Sequence, residues 1–264
     1  METLHTYVVL AYKESPYLEE CVKSVLNQKY ASHVIIATST PNDFIKKIAG
    51  KYQLEIIENP NPGKGIGYDF DFAVSCGQTK LVTVAHQDDI YDYTYSYEIV
   101  KKYQKNKNST IIFTDYYEIR NGEKVYSNTN LKIKRVLLLP LRVKGLANTK
   151  FGKRLVLRFG NAISCPAVTF VKDNIQTNDI FKCSFVCDVD WYAWEKLSLL
   201  NGAFSFIPES LMGHRVHEDS TTTEIINERV RTKEDLEMYK KFWPTWFSKL
   251  LNIFYVKAEK SNQQ

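Results

Sequence analysis

Residues 6–85 alternate short apolar runs with amphipathic ones, and this rhythm limits the fold more than any other feature of the chain. Residues 6–12 read as a first buried strand. Ser15 is placed to cap the following helix, with Pro16 in its first turn and Glu19 and Glu20 near its positive end. Leu18, Val22, Val25 and Leu26 then share one helical face. Further strands are expected at 34–37, 54–57 and 81–85, and helices at 44–52 and 69–76. A β-α-β-α-β-α-β order predicts an α/β fold with a mostly parallel, Rossmann-like sheet flanked by helices. Ligands bind such sheets beyond the carboxyl ends of the strands, where Tyr12, Thr38 and Asp88 lie. At 264 residues and 44% hydrophobic content, the chain can bury one large core or two fused halves.

The fourth strand runs into His86-Gln87-Asp88-Asp89. Adjacent carboxylates repel, so a compensating charge is expected, and hard oxygen ligands suit Mg²⁺ or Mn²⁺, which in turn clamp a diphosphate. A solvated Asp-Asp turn is the plainer alternative. In the aromatic loop expected at 90–97, Tyr91, Tyr93, Tyr95 and Tyr97 suit either a sugar platform or a packed face.

The second half is less regular. Strands are expected at 111–114, 167–171 and 203–207, with a helix near 188–200 and a hairpin over 116–126 turning at Asn121-Gly122. No repeat or low-complexity linker separates the halves. Between residues 124 and 172 there is no Asp or Glu, while Lys124, Lys132, Lys134, Arg135, Arg142, Lys144, Lys150, Lys153, Arg154, Arg158 and Lys172 are basic and interleaved with aliphatic residues. Such a segment fits an anionic membrane surface or a solvated face over a groove. No recognition motif for nucleic acid accompanies it. Near the C-terminus, Phe242, Trp243, Trp246, Phe247, Leu250, Leu251, Phe254 and Tyr255 recur at helical spacing, which fits membrane anchoring or docking on a protein surface. No apolar run approaches the roughly 20 residues that span a bilayer, and the N-terminus lacks the basic start and long apolar stretch of a signal peptide. Five cysteines without paired C-x-x-C spacing fit a reduced, cytoplasmic setting, peripheral at the inner face of the cell membrane.

Four segments, in order, resemble the family 2 glycosyltransferases of the GT-A fold. They are 9–14 with 17–28, the Asp88-Asp89 loop, Cys187-Asp188-Val189-Asp190-Trp191, and His214-Arg215-Val216-His217-Glu218-Asp219-Ser220. The resemblance implies that Asp89 is a metal ligand for Mn²⁺ or Mg²⁺, with His217 as a second ligand or diphosphate contact. It places donor contacts at Ala11, Tyr12, Glu14, Thr38, Lys64, Asp69, Gln87 and Asp88, and it makes Asp188 the general base of a single, inverting displacement. Asp188 also suits a plain helix cap, and Asp190 a structural partner.

The sequence departs from the family in two places. Thr38-Ser39-Thr40-Pro41 stands where an Asp-Asp-Gly-Ser is usual, so a donor base would meet a hydroxyl or a carbonyl; His86 stands where an Asp is common. The glycines of 61–67 match no phosphate-binding fingerprint, and Asp69 and Asp71 have open roles. The expected organisation is a GT-A domain over 1–222 and a helical, aromatic-rich tail over 223–264. Within the domain, 1–97 is the nucleotide-sugar half, with the mostly parallel sheet, and 98–222 the smaller, mixed acceptor half. The expected activity is transfer of a hexose or deoxyhexose from a UDP- or dTDP-sugar to a glycan or lipid-linked glycan. A catalytically silent nucleotide-sugar-binding module and a metal-dependent phosphoesterase remain as alternatives.

Overall fold

The computed structural model describes residues 3–143, 145–216 and 228–262, with side chains throughout except at 228–229 and 254–262. The first half builds strands β1 (His5–Ala11), β2 (His33–Thr38), β3 (Glu55–Glu58) and β4 (Leu81–His86), linked by helices α1 (Leu18–Leu26), α2 (Asp43–Tyr52) and α3 (Ile66–Cys76). All pairings among these strands are parallel, in the order β3-β2-β1-β4. Helices cover both faces. Val8, Ile35 and Val84 belong to one core cluster, while Tyr7, Val9, Ile36 and Ala85 belong to the other. That two-sided burial explains why the strands read as unbroken apolar runs.

Beyond β4 the sheet becomes mixed, as expected for the acceptor side. β8 (Val168–Val171) inserts antiparallel between β4 and the long β6 (Ser109–Arg120), which pairs in parallel with β9 (Ala203–Val216). β5 (Ile90–Tyr91) closes the far edge antiparallel to β9. The predicted hairpin is present: β7 (Glu123–Val125) folds onto β6 across Asn121 and Gly122, both with positive φ, as a type I′ turn requires. β6 and β9 run 12 and 14 residues, far longer than the short apolar strands expected, because their polar residues find partners inside the protein. Asp115 accepts from Arg135 (2.7 Å) and Ser210 (2.9 Å), and Glu118 from Arg120 (2.7 Å) and Asn128 (2.8 Å).

The remaining helices are α4 (Tyr95–Lys105), α5 (Thr129–Leu138), α6 (Lys150–Leu155), α7 (Val189–Ser198), α8 (Glu228–Lys240) and α9 (Thr245–Asn262). Three sequence readings need correction here. The segment 90–97 is no open aromatic loop: Tyr91 and Tyr95 are buried, donating to the Pro166 carbonyl (2.7 Å) and the Ala167 carbonyl (2.9 Å), and so cannot line a sugar platform. Ser15 lies two residues ahead of the N-cap position of α1, Tyr17; its hydroxyl accepts from the Tyr17 N–H (3.3 Å) and donates to Asp88. The basic segment is only partly solvated: Lys132, Arg142 and Lys150 are exposed, and others turn inward. Lys134 donates to the Tyr116 hydroxyl, Arg135 to Asp115, Arg154 to Glu195 and Lys172 to the Gly77 carbonyl, while Lys153, fully buried, donates to the Leu200 and Gly202 carbonyls. Among the described residues, no helix is long and apolar enough to cross a membrane.

Candidate active site

The order β3-β2-β1-β4 reverses direction between β1 and β4, which opens a crevice at their carboxyl ends. Gln87 bridges it, accepting from the Tyr12 backbone N–H and donating to the Tyr12 carbonyl, both at 2.9 Å. Lys13 next in the turn sits at φ 53°, an uncommon conformation for a non-glycine residue, held by its N–H donating to Thr40 Oγ1 at 2.6 Å. Thr38 Oγ1 accepts from the Thr40 N–H (3.0 Å), and the Thr38 carbonyl from Asn59 N–H (2.8 Å). Asp69, at the start of α3, gathers Ser39 (3.1 Å) and Asn59 (2.8 Å). The loops after β1, β2 and β3 are thus tied into one wall. Ala11 and Thr38 are fully buried, so they shape this wall without presenting side chains to a donor. Tyr12, Glu14 and Lys64 are exposed, and Lys64 reaches Asn61 at 3.3 Å.

At the end of β4 the two acids part company. Asp88 is half-buried, and its Oδ1 accepts a 2.5 Å hydrogen bond from Ser15. Asp89 is 1% exposed. Its Oδ1 accepts from the Arg215 N–H (2.8 Å) and lies 3.2 Å from His214 Nδ1, and His86 Nδ1 stands 4.0 Å from Oδ2. Burial pushes the Asp89 carboxyl up, but His214, His86 and the Arg215 hydrogen bond outweigh it and hold the group below the usual carboxylate range. His214 responds in kind: burial lowers it, and Asp89 more than restores its proton affinity. Arg215 fastens this turn to α1, donating to the Asp88 carbonyl (2.9 Å) and to Glu20 (2.6 Å) with its guanidinium 4.2 Å from the Tyr17 ring centre. The expectation that Asp89 binds metal therefore meets a buried carboxylate already committed to Arg215 and His214, and the more accessible carboxylate is Asp88.

The acids at the start of α7 also diverge. Two residues apart on a helix is about 200° of rotation, so Asp188 and Asp190 face different ways. Asp188 lies at the N-cap position, yet its side chain makes no capping bond. It is buried against α8, where burial, then Asp235 and Asp190, push its carboxyl well up. Asp190 takes a hydrogen bond from Asn161 (2.7 Å) and feels the charge of Lys134. Burial raises its carboxyl, opposed by the Trp191 N–H, Asn161 and Lys134. Lys134 donates to the Tyr116 hydroxyl (2.9 Å), and the Tyr116 ring meets His214 edge-on at 6.2 Å between centres. Half-buried Cys165 feels both Asp190 and Asp89, its thiol pushed well up by desolvation and then by these two acids. A row of side chains therefore runs Asp89–His214–Tyr116–Lys134, and the charge of Lys134 acts in turn on Asp190.

The sequence model of the glycosyl transferase family 2 matches residues 6–164. The chain belongs to this family. A search of curated proteins found no match. The solved structure of S. aureus TarS 1–349 with UDP-GlcNAc is similar at a TM-score of 0.66 and 14% identity, over 96% of this chain and 71% of that one. The mannosyltransferase PcManGT from Pyrobaculum calidifontis, with GDP-Man and Mn²⁺, is similar at a TM-score of 0.66 and 13% identity, over 95% of this chain and 68% of that one. The glycosyltransferase thus has the α/β GT-A fold that its sequence resembles, and the phosphoesterase reading falls away.

His217, expected as a second metal ligand, lies outside the described residues. Among those described, no three His, Cys, Asp or Glu side chains cluster to hold a metal by themselves. A cation of the Mg²⁺ type needs only one or two carboxylates when diphosphate oxygens and water complete its shell, and Asp88 fits that requirement. Sequence reasoning overlooked Ser15, Tyr116, Lys134, Asn161 and the role of Arg215. Only Arg215 carried a usable signal, since it sits inside the fourth motif.

Proposed function

We propose that this glycosyltransferase moves a sugar from a nucleoside-diphosphate donor to an acceptor hydroxyl of a glycan or lipid-linked glycan, by one inverting displacement with Asp190 as general base. The observation that carries this reading is the row of side chains from Asp89 to Lys134, whose charge reaches Asp190 at the start of α7, where Asn161 holds the Asp190 carboxylate at 2.7 Å. The Asp190 carboxylate takes the proton of the acceptor hydroxyl while its oxygen attacks the anomeric carbon from the face opposite the diphosphate. The anomeric C–O bond breaks, and its electron pair leaves on the diphosphate oxygen. A divalent cation held by Asp88 would supply Lewis-acid stabilisation of that developing charge. Tyr12, Gln87 and the Asp69 wall frame the nucleotide, and Lys64 stands at its rim. Asp188, the expected base, stands as the alternative to Asp190; it is the more buried of the two and lies beside Asp235 of α8.

The test is turnover of a panel of UDP-, dTDP- and GDP-sugars with Mn²⁺ or with EDTA. The expected result is donor consumption that EDTA reduces at least tenfold. Binding of a nucleotide sugar by calorimetry with no turnover under any condition would favour the silent module.

Peripheral contact with an anionic bilayer at the cytoplasmic face is the second part of this reading. Phe242, Trp243 and Leu251 pack against the core, whereas Trp246 (71% exposed), Leu250 and Ile253 line the outer side of α9. Beside them Arg158 lies between Phe151 and Trp243, and Phe151 is itself exposed. Aromatic and aliphatic side chains framed by cations suit a headgroup boundary. Cosedimentation with phosphatidylglycerol vesicles is expected to weaken roughly tenfold in Trp246→Ser/Leu250→Ser, on the scale of losing part of two apolar side chains' burial. Equal binding by the variant would remove this surface from the proposal.

A further inference from the structure

The segment 178–188 has no regular structure of its own, yet two carboxylates hold it. At one end Asp71 of α3 accepts from the backbone N–H groups of Ile180 (2.7 Å), Phe181 (2.9 Å) and Lys182 (2.9 Å). The contact is close: a Cβ on Gly67 would lie 2.7 Å from the Phe181 carbonyl oxygen. At the other end Glu234 of α8 accepts from the N–H groups of Val186 (2.9 Å), Cys187 (2.7 Å) and Asp188 (3.1 Å). Helix starts leave donors unsatisfied, and a local N-cap side chain normally answers some of them. Here the N-cap side chain of Asp188 does not, and a carboxylate from a separate helix gathers the donors just ahead of α7.

Glu234 is 7% exposed and receives three N–H groups of one turn, so it fixes both the position of that turn and its orientation. Asp190 lies in the first turn of α7, two residues past the last of these donors. A small rotation of the turn would swing the Asp190 carboxylate away from Asn161 and the Lys134 side. We infer that Glu234 is a positioning residue, holding the 186–188 turn so that Asp190 is aimed at the acceptor hydroxyl. This rests on the reading of Asp190 as base. A misplacement of about 1 Å in a reacting group is worth up to a hundredfold in rate.

The experiment is a cycle of Glu234→Gln, Glu234→Asp, Asp190→Asn and the double variant Asp190→Asn/Glu234→Gln, in the full chain. Turnover is followed with UDP-GlcNAc or GDP-mannose, whichever the protein consumes, and thermal midpoints and donor affinity are measured beside it. Glu234→Gln is expected to lower kcat roughly 10- to 100-fold with donor KM within about twofold. Glu234→Asp, which keeps the charge on a shorter arm, should recover part of the loss. On the residual rate of Asp190→Asn, Glu234→Gln should add little, because residues acting through one group are non-additive. Equal losses in both backgrounds, or a rise in donor KM with kcat intact, would overturn the inference alone. Wild-type turnover in Asp190→Asn would overturn the base assignment and this inference together. If Glu234→Gln does not fold, Glu234→Asp carries the same comparison.

Discussion

Asp190→Asn is expected to cut kcat by about 10³, within the range a positioned base contributes, while donor affinity stays near wild type. Asparagine keeps the size of the side chain and can still accept from Asn161, so the loss isolates proton transfer. The base must be ionised to act, so activity rises with pH through its titration. Burial places that rise above the usual aspartate range, and the variant should lose this acid limb altogether. Asp188→Asn is the matched control and should retain turnover within about threefold. It should also stabilise the fold at about pH 7. The native state keeps the Asp188 proton to a higher pH than the unfolded chain does, because burial, Asp235 and Asp190 raise this carboxyl. Its contribution is therefore whole below the unfolded value and wanes as pH rises toward the shifted one. The gain from asparagine should vanish below about pH 3, where both states are protonated. The reverse ranking, with Asp188→Asn the inactive variant, would return the base to the earlier expectation.

The second large effect separates the neighbouring acids. Asp89→Ala removes the acceptor of the buried Arg215 N–H and the partner of His214, whose side chain is 41% exposed. Leaving that buried donor unsatisfied costs about 3 kcal/mol, with little added by the solvent-screened His214 pair. For a chain of this size that is a fall of roughly 10 °C in melting temperature, and activity should decline with the fold. Asp88→Asn keeps the Ser15 hydrogen bond and should melt within a degree or two of wild type, at about the scale of a surface change. Its loss should appear in catalysis as a roughly hundredfold drop and the disappearance of stimulation by Mn²⁺. A thermally silent Asp89→Ala that had lost its metal response would exchange the two roles. Side-by-side calorimetric melts and manganese titrations decide between them.

What was legible in the sequence follows from where side chains find their partners. β1, β2 and β4 are buried on both faces, so their residues had to be apolar, and the run of strands and helices could be read directly. β6 and β9 were cut short because Asp115, Glu118 and Ser210 look like the end of a strand; their partners Arg135, Asn128 and Asp115 are distant in sequence or on another strand. The same holds for the basic segment. Lys153 reads as a solvated charge until the carbonyls of Leu200 and Gly202 are brought to it. Within the site, the motif around Asp188 and Asp190 was evident, but a motif carries no rotation. Which acid faces the cleft depends on how the start of α7 is held, and Glu234, more than forty residues later, decides that.

The strap at residues 180–188 has a consequence for how the molecule is made. Its anchors, Asp71 and Glu234, lie on opposite sides of it in the chain, so during synthesis the donor crevice can assemble long before the base-bearing helix is secured. A nascent or truncated polypeptide ending ahead of α8 should therefore grip nucleotide yet transfer nothing, and competence should arrive only once the last helices leave the ribosome.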